Sequence, residues 1–376
     1  MEETLNTFED RKQAIKANNN VNVSNNKQQC SLSQGANGRG VVDKTTAAND
    51  KLLPHWPSVC LILTMGFVLV LGYLFLAVVV IYLINTIWSI VYPHILAKPL
   101  GHIIDLKKLG DWAVVTGATD GIGKCYAIEL AKRGLNVFIL GRNEERLKNA
   151  VEEIEKSAPN VEVFSFEVDF GQATPDKYAE IESILKKLDV AILVNNVGVS
   201  YAYPEYLHQI ENGRTAIWNL LQVNCIPCTL ITQAVLPNML EKKKGAIVNI
   251  GSASGLFPTA FMSVYSASKA YVKFLTRNLI EEYRDTGLIF QCVSPFYVCS
   301  KMSKMNRPSF FVPNSSTFAR SALNTVGLEE FTCGCLSHAI LVSLINLIYP
   351  SILASSVTKR MKKARAKFLR NKGKKD

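Results

Sequence analysis

The chain has 376 residues, of which 48% are apolar and 19% are charged. This balance is typical of neither disordered nor fibrous proteins. The formal net charge is +11, but the last eighteen residues, 359–376, hold ten Lys or Arg residues and a single acid. The rest of the chain is nearly neutral, which excludes the broad basic surface of a nucleic-acid-binding protein.

Nine cysteines are scattered along the chain, and the close pairs Cys225/Cys228 and Cys333/Cys335 lack further ligands at zinc-site spacing. We therefore predict no metal site and interpret the cysteines as reduced structural thiols. Reduced thiols favour a body that faces the cytosol.

The first ninety residues divide into a polar part and an apolar part. Residues 1–50 include nine Asn and no apolar cluster, so we predict a disordered extension. Residues 56–92 are predicted to form a transmembrane anchor, because Val59 to Ile84 are 26 residues without a charge and Trp56 and Trp88 flank them. A buried core helix would rarely be apolar on every face, and a cleaved signal would lie nearer the first residue.

From residue 105 to about 330, short apolar segments alternate with amphipathic ones. This alternation predicts an α/β fold with a doubly wound parallel sheet covered by helices on both faces. The expected strands are 112–118, 136–142, 161–170, 190–198, 245–252 and 288–295, and the expected helices are 122–133, 143–156, 176–187, 214–240 and 264–284.

Two segments follow this domain. Residues 331–356 are largely apolar but include His338, Asn346 and Pro350. They could enter the membrane, pack on the domain or line a substrate entrance, and we favour membrane association. Residues 357–376 form a basic tail, predicted to lie in the cytosol and to attract anionic headgroups unless it is simply solvated.

A glycine-rich turn follows the first predicted strand, and a helix follows the turn. Its sequence, from Thr116 to Gly123, is TGATDGIG. Glycines at such a turn allow the backbone to approach a diphosphate, and the N-terminus of the next helix favours anions. The position of the turn in the α/β array therefore indicates a dinucleotide site.

Residues after the second and third strands bear on the cofactor. Arg142 stands where NAD-binding folds usually place an acid, and an arginine can pair with a 2′-phosphate. We therefore predict NADP(H), although Asp120 in the glycine turn acts against a phosphorylated cofactor. Asp169 is placed to meet the adenine edge, or else it caps a helix.

Tyr265 and Lys269 share one face of a predicted helix, because they are four residues apart. A free phenol, with a pKa of about 10, is a poor acid or base at neutral pH, and a nearby ammonium group would lower that pKa. Ser252 ends the preceding strand, where its hydroxyl could hold a substrate carbonyl oxygen. Together the three side chains indicate proton transfer to a ketone.

These markers, in this order, resemble those of the short-chain dehydrogenase/reductase family over residues 112–300. The resemblance implies a Rossmann fold in which Tyr265 donates a proton to the substrate carbonyl and Ser252 orients the substrate. It further implies that Lys269 binds the nicotinamide ribose and that Asn224 holds a water in a proton relay. The implied cofactor-binding residues are Gly117, Thr119, Asp120, Gly121, Ile122, Gly123, Arg142, Asp169, Asn196, Tyr265 and Lys269.

The segment SYAYPEY, residues 200–206, is similar to a signature of one membrane-bound branch of that family. The branch contains 17-beta-hydroxysteroid dehydrogenases and very-long-chain 3-oxoacyl-CoA reductases. It implies NADPH-dependent reduction of a lipid-like ketone, and both substrates remain open, with the acyl-CoA favoured. A non-catalytic adaptor is disfavoured because the tyrosine, lysine and serine are all retained.

The same resemblance implies an endoplasmic reticulum membrane protein whose catalytic domain faces the cytosol. Lysines near the C-terminus, in the segment 372–376, are similar to cytosolic retrieval signals. By analogy with the family, we expect a homodimer formed by the helices that carry Asn224 and Tyr265.

Overall fold

The computed structural model describes residues 56–347 and 350–372. The predicted extension over residues 1–50 lies outside the described residues, as do the last four residues of the tail. The chain divides between Leu74 and Phe75 into two compact units.

The first described helix, α1, covers Trp56–Val91 and is continuously apolar. Two segments of the described chain are long and apolar enough to cross a membrane, residues 63–96 and Gly213–Lys242. The most apolar part of the first segment is 0% buried, whereas that of the second segment is 56% buried. The second segment is a core helix of the domain, so only α1 combines this composition with exposure. Its role as a membrane anchor remains a prediction.

The domain is built on a seven-stranded sheet with the order β3-β2-β1-β4-β5-β6-β7, in which every neighbouring pair is parallel. The strands are Trp112–Thr116 (β1), Asn136–Gly141 (β2), Val163–Glu167 (β3), Val190–Asn195 (β4), Ala246–Ile250 (β5), Ile289–Val293 (β6) and Phe331–Thr332 (β7). The central strands β1, β4 and β5 are buried at every residue, which explains their continuous apolar sequences.

Helices cover both faces of the sheet, as the alternation of the sequence predicts. One face carries Gly121–Lys132 (α2), Glu144–Ser157 (α3) and Ser315–Leu323 (α7). The other carries Pro175–Leu185 (α4), Gly213–Lys242 (α5) and Ser263–Glu282 (α6). The chain changes direction between β1 and β4, and the crevice at this switch point, outside the carboxyl ends of the strands, is where such folds bind ligands.

Residues beyond 330, the predicted end of the domain, also contribute to its sheet and its packing. The sheet does not end before residue 331, because β7 pairs with β6, and His338 on the next helix, Leu336–Asn346 (α8), is fully buried. Part of the predicted membrane-associated segment 331–356 therefore packs on the domain. One helix, Pro350–Lys372 (α9), contains residues of both this segment and the basic tail.

Candidate active site

Hydrogen bonds join the ends of β1 and β4 at the switch point. The Thr116 hydroxyl accepts hydrogen bonds from the backbone N–H groups of Asn196 and Val197, each at 3.0 Å. In return, Asn196 Nδ2 donates to the carbonyl oxygens of Thr116 and Gly117, each at 3.0 Å. The Asn196 side chain therefore holds the glycine turn in place.

The glycine turn fits a dinucleotide because it is compact and ends in an open helix N-terminus. A Cβ atom at Gly123 would lie 2.3 Å from Asn196 Nδ2, so only glycine lets α2 approach the exit of β4 this closely. Gly121, the first residue of α2, has a φ of 57°, in the left-handed region that favours glycine. The N–H groups of the first helical turn lack intrahelical acceptors and can bind a diphosphate.

Asp120, the N-cap of α2, is neutralised from across the cleft. Its carboxylate accepts a hydrogen bond from Gly121 N at 2.7 Å and pairs with Lys301 Nζ at 2.6 Å. Burial acts to raise the pKa of Asp120, but the bonds from Lys301 and Gly121 and nearby cations hold it below its ordinary value. The acid that seemed to oppose a phosphorylated cofactor is therefore compensated by Lys301.

Tyr265 and Ser252 meet above the carboxyl end of β5. Ser252 follows this strand by two residues, and its hydroxyl is hydrogen-bonded to the Tyr265 phenol. Burial raises the pKa of the phenol and the Ser252 bond lowers it, with a net rise above the ordinary value. The phenol is consequently protonated at neutral pH and can donate a proton.

Lys269 lies beside Tyr265 on α6 and reaches toward two strand ends. Its ammonium group donates to the carbonyl oxygen of Ile250 at 2.9 Å, and a Cβ atom at Gly198 would lie 3.4 Å from it. Burial lowers the pKa of this buried lysine. We expected its charge to lower the pKa of Tyr265, yet Ser252 is the group that lowers this pKa in the structure.

Asn224, on α5, is buried and joins the exit of β4 to α6. Its Oδ1 atom accepts from Val199 N at 2.8 Å, and its Nδ2 atom donates to Val199 O at 3.0 Å and to the Ser268 hydroxyl at 2.9 Å. The Ser268 hydroxyl in turn donates to the Tyr265 carbonyl oxygen at 2.8 Å. Asn224 therefore positions the backbone around Tyr265, and the predicted role in holding a water stays a prediction.

The remaining predicted cofactor residues lie along the same edge of the sheet. Thr119 packs against the end of β2, since a Cβ atom at Gly141 would lie 2.7 Å from Thr119 Cγ2. Arg142 is exposed directly after β2, where a 2′-phosphate could reach it. Asp169 is exposed after β3 and accepts from Gly171 N at 2.9 Å, so it shapes a turn. Ile122 lies in the first turn of α2.

Comparison with known proteins gives the family. The family model for short chain dehydrogenases matches residues 111–309, which is more than half of the chain. The chain belongs to the short-chain dehydrogenase family. This confirms the resemblance stated from the motifs and the prediction of a doubly wound Rossmann fold, and it makes the protein an oxidoreductase by family.

Relatives of this short-chain dehydrogenase are similar over most of its length. A very-long-chain 3-oxoacyl-CoA reductase of Caenorhabditis briggsae is 42% identical over 80% of this chain and 95% of its own. A putative steroid dehydrogenase of Caenorhabditis elegans is 41% identical over 79% and 96%. Among solved structures, a short-chain dehydrogenase from Sphingobium yanoikuyae in complex with NADPH is 28% identical, with a TM-score of 0.52 over 59% of this chain and 86% of that one.

Sequence analysis assigned no role to two residues that contribute to the site of this short-chain dehydrogenase. Lys301 lies in a loop 181 positions after Asp120 and neutralises it. No local sequence pattern predicts a pairing between residues so far apart. Ser268 connects Asn224 to Tyr265. It lies three residues after the tyrosine on α6, and helical spacing alone could have identified it.

Proposed function

We propose that this short-chain dehydrogenase reduces the ketone of a long 3-oxoacyl-CoA to the corresponding alcohol, using NADPH. The hydrogen-bonded pair of Tyr265 and Ser252, at the switch-point edge of the sheet, is the observation that carries the proposal. The relatives named as very-long-chain 3-oxoacyl-CoA reductases, from 39% to 45% identical, support the substrate class.

The proposed chemistry at the ketone follows from the protonated phenol. Tyr265 donates its proton to the carbonyl oxygen, and the Ser252 hydroxyl holds that oxygen beside the phenol. NADPH, when bound, supplies the hydride to the carbonyl carbon. Lys269 lies beside this pair, where its ammonium group can bind the ribose of the cofactor.

The proposed cofactor site follows the edge of the sheet. The N-terminus of α2 binds the diphosphate, and Asn196 keeps the turn in place. Arg142 pairs with the 2′-phosphate and so favours NADP(H) over NAD(H). Asp169 lies where it can meet the adenine edge.

We further propose that α1 anchors the enzyme in the endoplasmic reticulum membrane, with the catalytic domain in the cytosol. Support for the anchor comes from its exposure and composition. Support for the orientation comes from Lys98, Lys107 and Lys108, which follow the helix within the distance over which cations mark the cytosolic side.

A steroid remains the second candidate substrate, because a relative at 41% identity is named as a putative steroid dehydrogenase. A 17-ketosteroid presents the same reacting group, a ketone, to Tyr265. The residues of the site are therefore compatible with either substrate.

NADPH consumption by detergent-solubilised full-length protein tests the proposal, with a long-chain 3-oxoacyl-CoA and a 17-ketosteroid compared side by side. We expect turnover of the acyl-CoA, and a loss of about 10²- to 10⁴-fold in kcat for Tyr265→Phe, because the general acid is removed. NADPH binding, followed by its fluorescence, should persist in this variant.

Tyr271→Phe provides the matched control. It removes a phenol on the same helix, whose hydroxyl lies 2.7 Å from that of Thr229. Its activity should be close to that of the wild type. Turnover of the steroid alone would establish the second candidate, and no turnover of either ketone would refute the proposed function.

A further inference from the structure

Helix α9 packs on residues 200–206, the segment that follows β4. Phe368 stacks on Tyr203 with ring centroids 4.1 Å apart, and Arg365 pairs with the buried Glu205. The same segment reaches the catalytic helix through the Tyr201 hydroxyl, which accepts from Val264 N at 3.0 Å, one residue before Tyr265. Helix α9 therefore borders the mouth of the catalytic cleft.

A second loop joins α9 at this mouth. Lys304 donates to the Ala202 carbonyl oxygen at 2.7 Å and lies 5.4 Å from the centre of the Phe368 ring. Arg360 of α9 lies over the Tyr297 ring at 5.8 Å. These contacts connect α9 to residues 200–206 and to the loop that contains Tyr297 and Lys304. Helix α9 is therefore held in place at the entrance.

The two sides of α9 differ sharply in charge. Its apolar side chains Val357, Met361 and Phe368 are half-buried toward the domain. The opposite side exposes cations, and the helix contains no acidic residue. Five of these exposed cations form no ion pair within the described parts of the chain. They are Lys359, Lys362, Lys363, Lys367 and Arg370.

Like charges three and four positions apart destabilise a helix, so a polyanion bound to this stripe would offset its repulsion. In a 3-oxoacyl-CoA, one methylene separates the reacting ketone from the thioester carbonyl. The pantetheine arm must therefore leave the catalytic site by the mouth through which the ketone enters, and it carries the diphosphate and the 3′-phosphate to the rim. A ketosteroid carries no such group.

We propose that the exposed basic face of α9 binds the phosphates of the coenzyme A moiety of the substrate. This inference rests on the proposed function. It assigns to α9 a role in substrate affinity, while the proton transfer takes place at Tyr265.

An anionic membrane surface is the competing polyanion, and the side chains of α9 argue against it. Interfacial helices expose large apolar residues on the face opposite their cations, where those residues enter the lipid. Apart from Ile352 at its beginning, the large apolar side chains of α9 whose burial is described are half-buried. The basic face itself exposes cations, serines and alanines.

Comparison of two thioesters tests the inference. Full-length protein in a neutral detergent is assayed with a 3-oxoacyl-CoA and with the matching 3-oxoacyl pantetheine, which lacks the nucleotide. We expect the triple variant Lys362→Gln, Lys363→Gln, Lys367→Gln to raise the KM for the CoA ester about tenfold relative to that for the pantetheine ester, since exposed cations each contribute a fraction of the binding free energy. Added salt should reduce the same preference in the wild type.

The variant Lys156→Gln, Lys187→Gln, Lys244→Gln is the matched control. It removes the same charge from exposed positions that precede β3, β4 and β5, at the amino-terminal edge of the sheet. It should leave the ratio of the two KM values unchanged.

Three results with the variants would overturn the inference. An unchanged KM ratio in the α9 variant is one, and an equal shift in the control variant is another. Reduced binding to anionic vesicles without a change in the ratio is the third, because it would assign the basic face to the membrane. Turnover of the pantetheine ester alone by the wild type would also contradict it but would leave the ketoreduction standing, whereas turnover of neither ester refutes the proposed function itself.

Discussion

At the scale of single residues, the protonation of Tyr265 suits the site to ketone reduction. Burial raises the pKa of the phenol more than the Ser252 hydrogen bond lowers it. A phenol that holds its proton at neutral pH is ready to give it to a ketone. Alcohol oxidation needs the phenolate instead, so its rate should rise with pH through the pKa of Tyr265.

Ser252→Ala should therefore move the pH profile of alcohol oxidation to higher pH. The hydrogen bond from Ser252 favours the phenolate, and its loss raises the pKa of Tyr265 further. The midpoint of the rise in kcat with pH measures this change. Ser254→Ala, two residues further along the same turn, is the control. A midpoint that stays in place or falls in Ser252→Ala would contradict the assignment of Ser252.

At the scale of elements, continuous apolar sequence and helical periodicity predict the central architecture. The six longer strands and the five helices between them lie within a few residues of their expected positions. The central strands were predictable because burial on both faces requires unbroken apolar runs. The strand β7 has two residues, and its pairing depends on β6 rather than on its own sequence. No sequence pattern of that length could have predicted it.

Helix α9 escaped sequence analysis for a different reason. Val357, Met361, Arg365 and Phe368 recur at helical spacing, but the cations between them gave the segment the composition of a solvated tail. Its decisive contacts join residues about 160 positions apart. In the active site, the spacing of Tyr265 and Lys269 is local and was predicted, whereas the pairing of Asp120 with Lys301 is equally remote in sequence.

Arg365→Gln should loosen α9 and lower the melting temperature by several degrees, because Glu205 would remain buried without a cation. Burial acts to raise the pKa of Glu205, and Arg365 holds it below its ordinary value. The pair therefore stabilises the fold fully above the pKa of an unfolded glutamate, and this contribution is lost as pH falls through the lowered value.

Thermal unfolding measured between pH 3 and pH 7 checks both statements. The wild type should lose more stability on acidification than Arg365→Gln, so that the two curves converge at low pH. Adding Glu205→Gln to Arg365→Gln should restore stability, since no buried charge remains. Parallel curves for the wild type and Arg365→Gln would show that the pair does not contribute.

At the scale of the whole molecule, the outer surfaces of α5 and α6 leave large apolar side chains in solvent. Trp218 is 71% exposed on α5 and Phe274 is 65% exposed on α6, with Leu221 and Tyr271 on the same two helices. Exposed apolar patches on a catalytic domain indicate association with another protein surface. A homodimer formed through these two helices would cover them.

Phe274→Asp should therefore convert a dimer into a monomer, because it places a charge in an apolar interface. Sedimentation of the detergent-solubilised protein, corrected for bound detergent, measures the mass. Phe310→Asp provides a control with a similar exposed fraction, 63%, on a loop outside these helices. A wild-type monomer, or a dimer that withstands Phe274→Asp, would exclude this interface.

The short outer strands of the sheet bear on how the enzyme avoids aggregation. A parallel sheet offers unpaired backbone groups at each edge, and a long flat edge invites a strand from a neighbouring chain. Here one edge strand, β7, is two residues long, and the other, β3, is five residues long, follows Glu162 and ends in Glu167. Neither edge provides a good template for such pairing, so copies of the domain can crowd together without merging their sheets.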